Sequence, residues 1–199
     1  FFFFFSLLKL KIIKKFFIIH GFQASGKSHW FPWLKQQLED IRVECHVLNM
    51  TDSMHPDYLI WKQNLTQQLQ YLDSDTIVIA HSLGCISVLD YLSSVLEHQK
   101  IKAFIGVSGF KEKLKSLPEL NHFIEQTHLS DGILHLNIQQ RYVIFSNNDQ
   151  YVPAPLTICL GQRINAQMLE IKGAGHFLEE DRYREFPQLW ELVQSILSA

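Results

Sequence analysis

Ser82 closes the run Thr76-Ile77-Val78-Ile79-Ala80-His81-Ser82-Leu83-Gly84, in which an uninterrupted apolar strand enters a small-x-Ser-x-Gly turn. A helical pattern of Ile86, Leu89, Leu92 and Leu96 follows at once. Strand, sharp turn and helix in that order lift a serine oxygen above a sheet edge as a nucleophile, and the tight turn needs small residues on either side. Ala80, standing where a glycine is usual, and Gly84 meet that need. Two further segments each place an acid–base residue just past a strand. The apolar run Arg141–Ser146 leads into Asn147-Asn148-Asp149-Gln150-Tyr151-Val152-Pro153, and Met168–Ile171 leads into Lys172-Gly173-Ala174-Gly175-His176-Phe177. Together Ser82, Asp149 and His176 are the groups that acyl transfer requires. His176 would take the serine proton and return it to the leaving group, while Asp149 would fix the imidazole tautomer and stabilise imidazolium. Phe16–Phe22 reads as a buried strand ending in His20-Gly21. The backbone there, which Gly21 lets come close, would complete an oxyanion hole formed by the N–H groups of Leu83 and of Phe22 or Gln23.

These pieces resemble the small serine hydrolases of the retinoblastoma-binding protein 9 and YdeN family. The matching segments are His20-Gly21-Phe22, His29-Trp30-Phe31-Pro32-Trp33-Leu34, Ala80–Cys85, Val107-Ser108-Gly109-Phe110, Asn148–Pro153 and Gly175-His176-Phe177, spread from about residue 16 to the C-terminus. The resemblance implies a compact, lidless α/β-hydrolase with a Ser82–Asp149–His176 triad. No cofactor is expected, and no metal at His20, His81 and His176, because carboxylate ligands at suitable spacing are missing. It does not name a substrate. His20, His81, Phe110 and Val152 are expected around the substrate pocket, His81 as an orienting residue beside the nucleophile.

Six strands are expected, at about 16–20, 43–48, 76–80, 101–107, 141–146 and 166–171. Several are continuous apolar runs, as in sheets covered on both faces. Helical stripes lie between them, among them Tyr58, Trp61, Leu65, Leu69 and Leu72, and finally Leu189, Leu192, Val193 and Ile196. Strands alternating with helices predict a three-layer α/β sandwich around a mostly parallel sheet. By analogy with the hydrolase fold the strand order is 2-1-3-4-5-6, which brings the first and third strands together at the switch point where ligands bind. The long connection from Ser108 to Gln140 carries Leu114, Leu117, Leu120, Phe123 and Ile124. It either overhangs the serine turn and shapes the acyl pocket or is an ordinary helical crossover.

The 199 residues suffice for one domain with a substantial core, and 47% apolar content suits a globular chain. Cys45, Cys85 and Cys159 show neither metal nor disulfide spacing, which points to a reducing, cytoplasmic setting. Residues 1–15, FFFFFSLLKLKIIKK, make a poor signal peptide and are too short in apolar length to span a bilayer. They read as an extended or misassigned start to a domain covering 16–199. Without their four lysines the domain carries 14 basic against 20 acidic residues, a net charge of −6, which argues against nucleic acid as a partner. The expected partner is a small ester or amide, with no membrane and with a protein partner left open.

Two other classes compete. Gly21-Phe22-Gln23-Ala24-Ser25-Gly26-Lys27-Ser28 matches the phosphate-binding pattern G-x-x-x-x-G-K-[ST] after a strand, but no strand ends in the aspartate that would help hold magnesium. A protein-interaction module on a vestigial hydrolase site is the second alternative. It leaves unexplained why serine, aspartate and histidine should all be present.

Overall fold

The computed structural model describes residues 14–199, so the first thirteen residues of the expected terminal segment lie outside the described residues. Lys15 already belongs to the first strand. The strands are β1 (Lys15–Ile19), β2 (Glu44–Val47), β3 (Thr76–His81), β4 (Ile101–Val107), β5 (Ile138–Phe145) and β6 (Gln167–Glu170). They pair in parallel throughout, in the order β2-β1-β3-β4-β5-β6.

Alternation along the central strands builds two cores at once. Phe17 and Ile19 of β1 and Val78 and Ala80 of β3 point to one face; Phe16, Ile18, Ile77 and Ile79 point to the other. The first face is covered by α2 (Tyr58–Gln68), α3 (Leu83–Val95), the short α4 (Asn121–Gln126) and α5 (Asp131–Asn137), and α6 (Ala154–Arg163). The second is covered by α1 (Phe31–Asp40) and α7 (Pro187–Ser198), through Trp30, Phe31, Leu34, Leu189, Val193 and Ile196. Burial of both faces explains why Ile77–Ala80 of β3 is apolar at every position.

The elements differ from the sequence pattern in three places. β5 starts at Ile138, three residues early, because α5 passes directly into it; Gln139 and Gln140 gave no apolar signal there. The stripe through Tyr58 outlasts its helix: Leu69 and Leu72 are buried, but α2 ends at Gln68. The Ser108–Gln140 connection is mainly a crossover. Leu120, Phe123, Ile124 and Leu134 join the core on the α3 face, and of its residues Leu117 alone lines the cleft beside Ser82.

Candidate active site

Ser82 stands between β3 and α3 with φ 52° and ψ −124°, a conformation that costs a residue with a side chain about 1–3 kcal/mol. Its N–H donates to Val107 O of β4 at 2.9 Å, and its carbonyl accepts from Cys85 N at 3.0 Å. Gly84 allows α3 to pass over the end of β1. A Cβ at that position would lie 2.6 Å from His20 O and 2.7 Å from Ile19 O, closer than such atoms approach.

Asp149 follows β5 and spends both carboxylate oxygens. Oδ1 accepts from Tyr151 N and Val152 N, each at 2.9 Å. Oδ2 accepts from Ser108 Oγ at 2.8 Å and from His176 Nδ1 at 2.7 Å. With its proton on Nδ1, the neutral His176 ring keeps a lone pair on Nε2. His176 and Ser82 line the same cleft, of about 390 Å³. All three are nearly buried, Ser82 at 5%, His176 at 7% and Asp149 at 8% exposure, and Asp149 lies behind His176 rather than in the cleft.

Leu83 opens α3, where a helix has N–H groups without intrahelical partners. The Gly21 backbone lies against the serine turn, an added Cβ falling 3.0 Å from Ser82 Cβ. Gln23 N–H is already taken by Ser53 O at 2.8 Å. Of the two candidates on that loop, Phe22, which lines the cleft with Ser82, is left for an oxyanion.

None of the four residues expected around the pocket lines it. Phe110 and Val152 are core side chains on the α3 face. His20 donates from Nδ1 to Gly21 O at 3.0 Å and accepts Met50 N–H on Nε2 at 3.2 Å, bracing one loop against another. Desolvation by burial lowers its pKa. His81 is the last residue of β3, so pleating turns it away from the side that Ser82 presents. Its Nε2–H donates to the backbone carbonyl of His176 at 2.8 Å. Burial, then the neighbouring His176 and His29 rings, hold its pKa well below the usual histidine range.

The cleft instead draws on His29, Gln150, Tyr151 and Glu180, whose part no spacing disclosed. His29 has φ 53° and accepts Glu179 N–H on Nδ1 at 3.0 Å; burial lowers its pKa, opposed chiefly by Glu180. Ser108 had a legible signal. It follows β4 as Ser82 follows β3, at a similarly unusual φ of 48°.

The phosphate-loop match does not form an anion site. Ser25 N donates to Ser28 Oγ, Lys27 N to Ser25 Oγ and Ser28 N to Ser25 O, so the amides a phosphate would need are bonded within the loop. The next helix begins only at Phe31.

A parallel sheet in this order, with a serine on a strained strand–helix turn and a paired aspartate and histidine beyond later strands, defines an α/β-hydrolase. The profile of the serine hydrolase family matches residues 16–195, and the chain belongs to that family. It is 34% identical over 185 residues to YdeN of Bacillus subtilis, covering 93% of this chain and 97% of that one. The crystal structure of YdeN superposes with a TM-score of 0.86, covering 94% of this chain and all of the other. Est1E from Butyrivibrio proteoclasticus shares the fold at 17% identity and a TM-score of 0.69, covering 94% and 89%. The protein is accordingly a hydrolase.

Proposed function

We propose that the protein cleaves a small carboxylic ester through an acyl-Ser82 intermediate, with Ser82, His176 and Asp149 as its triad. The observation that carries this reading is the 2.7 Å bond from His176 Nδ1 to Asp149, which leaves Nε2 as the basic nitrogen in the cleft that Ser82 shares. Ser82 Oγ attacks the carbonyl carbon as Nε2 takes its proton. The oxygen that gains charge is met by Leu83 N–H and Phe22 N–H, fixed donors that do not reorganise during the reaction. His176 then protonates the departing alcohol, and water repeats the sequence to release the acid. Amides are the slower substrates of the same chemistry. A cleft of about 390 Å³ with polar His29, Asn148 and Gln150 beside Phe22, Leu117 and Leu178 suits short or polar acyl groups better than long lipids. Three free cysteines accord with a reducing compartment such as the cytoplasm.

A fluorophosphonate probe and a series of p-nitrophenyl esters test the proposal. The wild type should label and should turn over short esters, with the rate declining at acid pH where protonated His176 cannot act as base. Ser82→Ala should do neither. A Ser82→Ala protein that keeps wild-type labelling and turnover would overturn the mechanism. A folded wild type lacking both reactions would favour the interaction-module reading.

A further inference from the structure

The loop that carries His176 is held by side chains where backbone pairing has ended. The β5–β6 ladder stops at Phe145 and Glu170, with one more bond from Ile171 N to Phe145 O. Beyond it, four consecutive N–H groups donate to four side-chain oxygens. Gly173 N reaches Asn147 Oδ1 at 2.9 Å, Ala174 N reaches Ser146 Oγ at 2.9 Å, Gly175 N reaches Asn148 Oδ1 at 2.8 Å, and His176 N reaches Asp181 Oδ2 at 2.9 Å.

Three of these acceptors are consecutive in sequence, and the residue after them is Asp149, which accepts the Nδ1–H of His176. Every side chain from Ser146 to Asp149 thus meets the 173–176 loop. The acceptors also order one another. Ser146 Oγ donates to Asn148 Oδ1 at 2.7 Å, so that the amide oxygen receives two donors and cannot rotate away without losing both. Asp181 Oδ2 takes Leu178 N at 3.1 Å as well, spanning both sides of the histidine. Its carboxylate closes over Gly175, where φ is 60° and any Cβ would collide with it.

Two loops leaving adjacent strands could each be locally ordered and still hold carboxylate and imidazole out of line. A chain of acceptors linking their main chains removes that freedom. We propose that Ser146, Asn147, Asn148 and Asp181 are positioning residues, a clamp that keeps the His176 imidazole in register with Asp149. The inference rests on His176 being the general base proposed above.

The direct test compares Ser146→Ala, Asp181→Ala and Asp181→Asn in the full chain. Ser146 is fully buried and does not line the cleft, so its effect does not pass through substrate contact. Ser146→Ala and Asp181→Ala should each lower kcat roughly 10- to 100-fold, the scale of a small misplacement of a reacting group. KM for Ser146→Ala should stay within about threefold of wild type, since no substrate contact is removed. Asp181→Asn keeps an oxygen for both N–H groups and should recover most of the loss.

A second readout is independent of turnover: the downfield proton resonance of His176 Nδ1–H, sharp in wild type and Asp181→Asn, broadened or lost in the two alanine variants. The clamp is refuted if both alanine variants are folded with kcat within twofold of wild type and an unchanged resonance. Equal loss in Asp181→Asn and Asp181→Ala also refutes its role as an acceptor and assigns Asp181 a role through charge. A wild type with no esterase activity whose resonance still disappears in Ser146→Ala would uphold the clamp and reject the reaction. Should Ser146→Ala fail to fold, the Asp181 pair decides alone.

Discussion

At the scale of residues, three histidines, His20 and His81 buried and His29 half-buried, are wired as neutral rings. His20 uses both nitrogens, one as donor and one as acceptor of backbone groups. His29 accepts on Nδ1, and His81 donates from Nε2 inside an aromatic nest of Trp30 and Phe31. In each, desolvation by burial is the first cause of a lowered pKa. The unfolded chain takes up these protons near pH 6.5, whereas the folded chain resists them until lower pH. Below about pH 6.5 the unfolded state therefore binds more protons, and stability falls as pH drops through the window between 6.5 and the depressed values. Thermal midpoints measured from pH 7.5 to 5.5 should decline, with a shallower decline in His29→Gln. A flat profile over that range would contradict the neutral-ring account. The meeting of Asp149 with His176, and of His176 with Ser82 in one cleft, is legible because each of these residues follows a strand and all the strands run in parallel. Phe110 and Val152 turn into the core on the α3 face instead of the cleft, because nearness in sequence to a strand end does not say which way a side chain turns. The acceptors at 146–148 could not be read, since their role arises only where two loops far apart in sequence meet, and Asp181 could not because its bonds to His176 N and Leu178 N depend on how its own loop folds back.

At the scale of elements, α3 and β1 are in backbone contact at Gly84, and this contact sets the height of the serine turn above the sheet. Gly84→Ala would push a methyl group into two carbonyl oxygens that belong to the strand and its loop, neither of which can move like a side chain. Overpacking of this kind costs about 1–3 kcal/mol, and a urea titration should show the loss with little change in slope. An unchanged midpoint would mean that α3 can shift without penalty, and the fixed height of the turn would have to be abandoned. The parallel arrangement was legible because a strand buried on both faces is apolar at every residue, as in Ile77–Ala80. The start of β5 and the end of α2 were not. Gln140 joins the ladder opposite Ala103 and neither it nor Gln139 brings an apolar side chain, while Leu69 and Leu72 are drawn into the core from beyond the helix.

At the scale of the whole molecule, the polar machinery gathers at the carboxyl ends of β1, β3, β4, β5 and β6, while both faces of the sheet serve packing. The site therefore comes from loops on a scaffold that need not change with the substrate. Among the described residues no helix is long and apolar enough to cross a membrane.

The serine turn carries a consequence that can be weighed without any substrate. Its cost sits in one backbone angle: Ser82 holds φ 52° where glycine would rest at ease. Ser82→Gly should relax the turn and gain about 1 kcal/mol after its own entropic cost, raising the melting temperature by about 2–4 °C. Ser82→Ala, as strained as the wild type, should show no such gain. A calorimeter would then find the glycine variant hardier than the wild type. A Ser82→Gly protein that melts no higher than Ser82→Ala would mean that the turn exacts no toll.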